Sequence, residues 1–324
     1  MIATRTQAAV LATPRAAVSV ESIHLGEPGP GKVLLRMEAC GLCHSDVFVT
    51  TLEKLPLAPV TLGHEGIGRV ETVGAGVSDW TTGDRAGITF LGGTCGNCEW
   101  CASGQRRFCP KQVNFGYTLQ GALSDYVIAP ASALARVPEG LAAEIAAPLC
   151  CAGWTAYRAL MEAGLSPGQS VALFGYGGLG HLALQVARRR GIRVSVSDPA
   201  ESKRQQAIKD GAELDARGVD AAIVFTAAPA AIPQAFRALK RGGTLVLVGL
   251  SVSNYELPLV DTVLKGITIK GSYLGTTEDL AAVFSLAAEG VLKPHVHTHA
   301  LTETPALLDR LRRGDLPGRA VVVW

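Results

Sequence analysis

The chain has 324 residues, 48% hydrophobic and 18% charged. At about 150 residues per domain that length suggests two domains, and the composition excludes an intrinsically disordered chain. The 30 Lys and Arg against 28 Asp and Glu leave a formal net charge of +2, which gives no electrostatic case for a nucleic-acid or anionic-membrane partner. Glycine, at 37 residues, exceeds its average share of about 7% and calls for tight turns or close backbone approaches.

In chain order, the first ten residues hold Arg5 but no apolar stretch followed by a small-residue cleavage site. The strand-like run Lys32–Met37 leads into Cys43-His44-Ser45-Asp46, and Gly63-His64-Glu65-Gly66 follows about 20 residues later. A Gly-rich polar loop then carries Cys95, Cys98, Cys101 and Cys109. The apolar runs Ile145–Tyr157 and Val171–Ala187 are broken by Pro148 and by clustered glycines. Neither reaches the roughly 20 apolar residues needed to cross a bilayer, so a soluble, cytoplasmic chain is expected. From about residue 153 the rhythm changes. Ser170–Phe174, Arg193–Ser197, Ala221–Phe225, Thr244–Val248 and Ile267–Lys270 read as strands, and Leu179–Arg190, Glu201–Asp210 and Ala230–Lys240 as helices between them. That alternation predicts a parallel sheet with helices on both faces.

The cysteines divide by spacing. Cys95-x2-Cys98-x2-Cys101-x7-Cys109 places four thiols in one short loop, where two-residue gaps let neighbouring thiolates face a common centre. Four thiolates satisfy tetrahedral Zn²⁺ and leave no open position, so this site is read as structural. Disulfide or free loop cysteines and an iron–sulfur cluster are the alternatives. Cys43, His64 and Cys151 are weak signals singly. Together, two thiolates and an imidazole are the three-ligand set of a catalytic zinc with one open position. Cys40-x2-Cys43 also admits a redox dithiol reading, though no thioredoxin-like βαβ pattern surrounds it.

The first strand of the second half ends in Gly175-Tyr176-Gly177-Gly178-Leu179-Gly180, a G-x-G-x-x-G match that follows a strand and opens a helix. Gly175 permits the tight turn, Gly177 lets a pyrophosphate approach the backbone, and Gly180 lets helix and strand pack closely. The amides opening the helix at Gly178 and Leu179 add unpaired donors for phosphate. Asp198 stands 18 residues after Gly180, where a carboxylate accepts the adenosine ribose hydroxyls and repels a 2′-phosphate, favouring NAD over NADP. The alternative is a turn residue before Pro199.

These motifs together resemble the zinc-dependent alcohol dehydrogenases of the medium-chain dehydrogenase/reductase family. The resemblance rests on Gly41-Leu42-Cys43-His44-Ser45-Asp46, Gly63-His64-Glu65-Gly66, the four-cysteine loop, Cys151-Ala152-Gly153, the glycine fingerprint and Gly318-Arg319. It implies an α/β protein: a GroES-like, β-rich catalytic domain (residues 1–152 and 276–324) and a Rossmann dinucleotide-binding domain with a doubly wound parallel sheet (residues 153–275). It places catalytic zinc ligands on Cys43, His64 and Cys151, with Cys40 and Cys150 as packing. Ser45 matches the hydroxyl that takes the substrate proton, and Asp46 the carboxylate that orients the imidazole. Glu65 matches a residue behind the metal, Thr155 one beside the nicotinamide, and His44 and Arg319 positions approaching the pyrophosphate. The implied cofactors are two zinc per chain and NAD. The implied chemistry is Lewis-acid activation of an alcohol and hydride transfer to nicotinamide C4. The partners are then a small alcohol, aldehyde or ketone and further copies of the chain, as a dimer or tetramer.

One departure concerns proton release. Many relatives carry a histidine two positions after the Asp46 equivalent, and here that position is Phe48. Phe90 matches an aromatic wall, and residues 48–57 lack the tryptophans that narrow the pocket of ethanol-selective relatives. Medium-chain or aromatic alcohols, primary or secondary, are therefore expected as substrates. A polyol dehydrogenase and a zinc-containing binding protein without activity are the rival readings. His295, His297 and His299 fall on one face of a strand and are read as solvated rather than metal-binding. Arg188, Arg189 and Arg190 are read as complementing a helix C-terminus.

Overall fold

The computed structural model describes residues 4–324. Chain contacts divide it into two units. The first comprises the chain through Cys151 together with Thr276–Ala288 and Pro294–Trp324; the second comprises Ala152–Gly275 and Glu289–Lys293.

The first unit is β-rich. Its seven-stranded sheet centres on Lys32–Gly41, which pairs antiparallel with Glu65–Val73, Tyr126–Pro130 and Arg319–Val323. Alternation sends Val33, Leu35 and Met37 inward, where they join Val70, Ala86, Ile88, Val127, Ala129 and Val322 in one apolar cluster. This strand runs four residues beyond the predicted Lys32–Met37. Its last part, Ala39, Cys40 and Gly41, pairs with Ile67, Gly66 and Glu65. Two sequence-distant motifs are thereby brought into register. A three-stranded antiparallel sheet is built on Thr4–Leu11, flanked by Ser19–Leu25 and Val60–Thr61.

The second unit holds a parallel five-stranded sheet in the order Arg193–Ser197, Ser170–Phe174, Val219–Val224, Leu239–Leu247, Thr268–Gly271. The strands Ser170–Phe174 and Arg193–Ser197 fall where alternation predicts them. The fourth strand begins five residues earlier than predicted, because Leu239 pairs with Val219 across an irregularity before regular pairing resumes at Thr244. The helix expected over Ala230–Lys240 correspondingly ends at Ala238. The fold is thus GroES-like plus Rossmann α/β. Among the described residues no helix is long and apolar enough to cross a membrane.

The alternating histidines lie on or next to the edge strand Val296–His299. A carboxylate does stand close to one of them, Glu303 at 3.3 Å from His299 Nδ1, but none of the three joins a metal-ligating cluster. Of the three arginines, Arg188 bonds the Asp210 carbonyl and Arg190 the Leu165 carbonyl, so they tie helix Gly178–Arg189 to its surroundings.

Candidate metal and dinucleotide sites

Lys32–Gly41 ends at a tight junction, and Cys43 caps the helix His44–Thr51 that follows. Cys43 lacks a hydroxyl or carboxylate for capping, and the terminus is organised from the other side: Asp46 Oδ2 accepts the Cys43 amide at 2.8 Å. The other oxygen, Oδ1, accepts the Gly63 amide at 3.1 Å and faces His64 Nδ1 at 3.2 Å. Asp46 is 1% exposed and His64 2%. One buried carboxylate therefore fixes the backbone beside two expected metal ligands and the ring of one of them.

With Nδ1 held by Asp46, His64 Nε2 points inward and has no hydrogen-bond partner. A buried nitrogen left unpaired costs about 1–3 kcal/mol, so its position needs an explanation. Cys43 Sγ and Cys151 Sγ stand 4.0 Å apart, near the edge of a tetrahedron with Zn–S bonds of about 2.3 Å. Cys43, His64, Glu65 and Cys151 place ligand atoms within 4.8 Å of one another. Hydrogen bonding from Cys151 holds the Cys43 thiol well below its ordinary pKa. Burial opposes charge on His64, yet the Asp46 carboxylate and Cys43 lift its imidazole pKa well above the ordinary value. The Asp46 carboxylate and the Cys43 sulfur thus favour positive charge between them. The donor set fits zinc: two cysteine sulfurs and an imidazole nitrogen, with Glu65 in reach.

Glu65 is wholly buried, and burial pushes its carboxyl up to about 7 against the opposing pull of Arg319. The Arg319 guanidinium bonds both Glu65 oxygens through Nη2 at 2.5 Å. This pairing was not legible in sequence, since 254 positions separate the residues. It directs Arg319, expected at the pyrophosphate, inward onto the carboxylate. Glu65 also explains Gly41: a Cβ there would lie 2.0 Å from Glu65 Oε2. Cys40 and Cys150 are fully buried, and burial raises both thiols well above their ordinary values. Cys40 Sγ packs at Gly63, and Cys150 Sγ weakly bonds the Ala146 and Gly66 carbonyls. Ser45 is half-buried with Oγ 3.7 Å from Cys43 Sγ, His44 is exposed, and Phe48 is 51% exposed. The Phe90 ring stands edge-on to His64, centroids 5.5 Å apart.

Cys95, Cys98, Cys101 and Cys109 form a second cluster within one loop. Cys98 and Cys101 sulfurs lie 3.5 Å apart, as do those of Cys95 and Cys109, with Cys95 and Cys101 at 4.0 Å. Backbone bonding from Asn97 draws the Cys95 thiol down to about 6. All eight cysteines of the chain are free thiols, so disulfide pairing does not account for the loop.

In the second unit, Gly175 closes the first strand with φ +100° and its amide bonds the Ser197 carbonyl at 2.9 Å. Gly177 caps helix Gly178–Arg189 in an extended conformation. A Cβ on Gly180 would stand 2.1 Å from the Gly175 carbonyl oxygen, so the turn folds back to a distance only glycine allows. Asp198, directly after the second strand, accepts the Tyr176 amide on Oδ2 at 2.8 Å and the Ala200 amide on Oδ1 at 3.0 Å. These two contacts order the turn around it, and each oxygen keeps a lone pair for a further donor. Thr155 is half-buried on helix Ala152–Ala163.

A chain that carries a Rossmann unit and a GroES-like unit with two zinc-type ligand clusters has the make-up of a zinc-dependent dehydrogenase. Residues 29–139 match the alcohol dehydrogenase GroES-like domain, and residues 213–289 the zinc-binding dehydrogenase domain. The chain is 38% identical to an alcohol dehydrogenase of Geobacillus stearothermophilus, over 98% of each chain. Similar solved structures include an acetophenone reductase of Geotrichum candidum in complex with NAD (28% identity, TM-score 0.89, covering 100% of this chain and 98% of that one). A cinnamyl alcohol dehydrogenase of Sorghum bicolor is another (27%, TM-score 0.88, 98% and 97%). The chain belongs to the zinc-dependent alcohol dehydrogenases of the medium-chain dehydrogenase/reductase family. It is accordingly an oxidoreductase acting on alcohols, with zinc and NAD as cofactors.

Proposed function

We propose that this enzyme oxidises medium-chain or aromatic alcohols, primary or secondary, to aldehydes or ketones, reversibly, and prefers NAD to NADP. The observation that carries the site assignment is the unpartnered, buried Nε2 of His64 beside the paired thiols of Cys43 and Cys151. These three residues would hold the catalytic zinc, and Cys95, Cys98, Cys101 and Cys109 the structural one. The catalytic metal supplies Lewis acidity at the alcohol oxygen. The chain's own groups do the rest. Asp46 holds His64 in one tautomer, and Ser45, half-buried beside Cys43, takes the hydroxyl proton. Phe48 carries no proton, so the chain's own relay ends at Ser45, and water would complete the release. Glu65, held by Arg319, backs the metal; His44 would serve the pyrophosphate side and Thr155 the nicotinamide, while Arg319 stays engaged with Glu65.

In the second unit, the turn Gly175–Gly180 would receive the pyrophosphate and Asp198 the ribose hydroxyls. Residues 1–152 with 276–324 form the catalytic domain in this reading, and residues 153–275 the cofactor domain. Half-exposed Phe48 and Phe90 beside His64 support apolar walls, and aromatic substrates appear in the names of two structural relatives. A cytoplasmic location is part of this reading, since a reducing compartment keeps the cysteines available as zinc ligands.

Self-association is part of the proposal. Thr268–Gly271 is an exposed edge strand, and the neighbouring helix Leu259–Lys265 exposes Leu259, Val260, Val263 and Leu264 by 66–75%. A second copy of the same face offers both a strand edge and apolar surface. Sedimentation of wild type and Val263→Lys tests this, and a monomeric wild type rejects it.

The activity test is NADH formation across an alcohol panel, with NADP in parallel. The expected order places benzylic and medium-chain alcohols above ethanol, and NAD above NADP. Ethanol as the best substrate would overturn the substrate class, and equal turnover with NADP the cofactor preference.

A further inference from the structure

Tyr176 lies inside the glycine turn but has a side chain that the fingerprint does not require. That side chain is 5% exposed, and its hydroxyl donates to Asp210 Oδ2 at 2.6 Å. Asp210 caps the C-terminus of helix Glu201–Lys209, 34 positions away. Asp210 is itself held. Its Oδ1 accepts from Gln206 Nε2 at 2.9 Å, and its carbonyl accepts from Arg188. His181, in the first turn of helix Gly178–Arg189, faces the same pair. Its ring is edge-on to Tyr176 at 6.1 Å, and its Nδ1 stands 3.5 Å from Asp210 Oδ2. The far side of the His181 ring meets Gln185 Nε2 at 2.8 Å and the Lys293 carbonyl at 3.0 Å. Tyr176 is thus fastened at two points. Asp198 takes its amide and Asp210 its hydroxyl.

A glycine-rich turn has a large conformational range, and ordering it on ligand binding costs free energy that subtracts from affinity. We propose that Asp210, acting through the Tyr176 hydroxyl, is a positioning residue that holds Gly175–Gly180 ready for the pyrophosphate and so sets dinucleotide affinity without touching the cofactor. Burial and the Asp210 bond keep the phenol protonated, with its pKa raised above the ordinary tyrosine value, so it remains a donor across the working pH range. The proposal rests on the pyrophosphate reading of this turn.

The test is fluorescence titration of the zinc-loaded enzyme with NADH, and competitive binding of ADP and of adenosine, for wild type, Tyr176→Phe, Asp210→Asn and the double variant. A lost hydrogen bond to a carboxylate predicts NADH affinity about five- to tenfold weaker in Tyr176→Phe. KM for NAD rises more than kcat falls. Asp210→Asn, which keeps an acceptor, loses less, and the double variant is no worse than Tyr176→Phe. ADP, which carries the pyrophosphate, weakens in parallel, and adenosine does not. A twofold or smaller change in NADH affinity overturns the proposal. So do additive single effects, or equal loss of adenosine and ADP, which marks a unit-wide disturbance. Gly177→Val separates the two levels: unaltered NADH binding in that variant rejects the pyrophosphate assignment itself, and the positioning role with it.

Discussion

Asp46 Oδ1 faces His64 Nδ1 at 3.2 Å across 18 positions of sequence, both side chains buried. The same carboxylate accepts the amides of Cys43 and Gly63, so the ring and the backbone at two ligand positions share one anchor. Losing a partner that orients a metal-bound imidazole typically costs 10–100-fold in metal affinity. Asp46→Ala should therefore surrender its catalytic zinc to a competing chelator about 10–100-fold more readily than wild type. Metal analysis after graded chelation measures it, and retention equal to wild type would contradict the role.

The two zinc clusters should separate genetically. Wild type is expected to hold two zinc per chain. Cys109→Ser should hold one and melt at lower temperature, and Cys43→Ala should hold one and lose most activity. Metal content by atomic absorption and turnover of the same samples decide this. A Cys43→Ala variant with near-normal turnover would sink the catalytic assignment.

Arg319 and Glu65 form a buried ion pair. Removing one member strands the other charge, at a typical cost of about 3–5 kcal/mol. Arg319→Leu should lose about that much stability, while Arg319→Leu with Glu65→Gln should recover part of it. Denaturant unfolding of both variants gives the comparison, and a double variant less stable than the single would refute the coupling.

Stability at acid pH should depend on Asp220. Burial alone would raise its pKa, but Lys240 and the amide and hydroxyl of Ser170 hold it well below the usual carboxylate value. A depressed folded-state pKa contributes stability that is complete above the unfolded value, near 4, and is lost as pH falls toward the folded value. Asp220→Asn should thus be less stable than wild type at pH 7, by about 1–2 kcal/mol. The gap should narrow steadily below about pH 4. Melting curves across pH test this, and a gap that widens on acidification would reject it.

Gly180→Ala places a methyl 2.1 Å from the Gly175 carbonyl oxygen. Backbone must move to accept it, so NADH affinity should fall at least tenfold by the reading of this turn as the pyrophosphate site. Wild-type affinity in this variant would show that the turn tolerates repacking.

Much of this enzyme was written in local sequence. The metal chemistry lies in ligand types and spacings, Cys95-x2-Cys98-x2-Cys101-x7-Cys109 above all, because a short loop can bring its thiols together without help from the rest of the chain. The Rossmann strands follow from apolar runs bounded by turn residues, and Gly175, Gly177 and Gly180 from the backbone geometry they permit. Sequence misplaced the start of the strand at Leu239, where pairing with Val219 overrode the helical pattern. Only the tertiary structure joined residues whose separation carries no local signal: Glu65 with Arg319, Asp46 with Gly63, and Tyr176 with Asp210. These are pairings of buried or half-buried polar groups. A buried charge or donor must find a partner, but which partner it finds depends on how strands and helices stack, and that is settled only when the whole chain has folded.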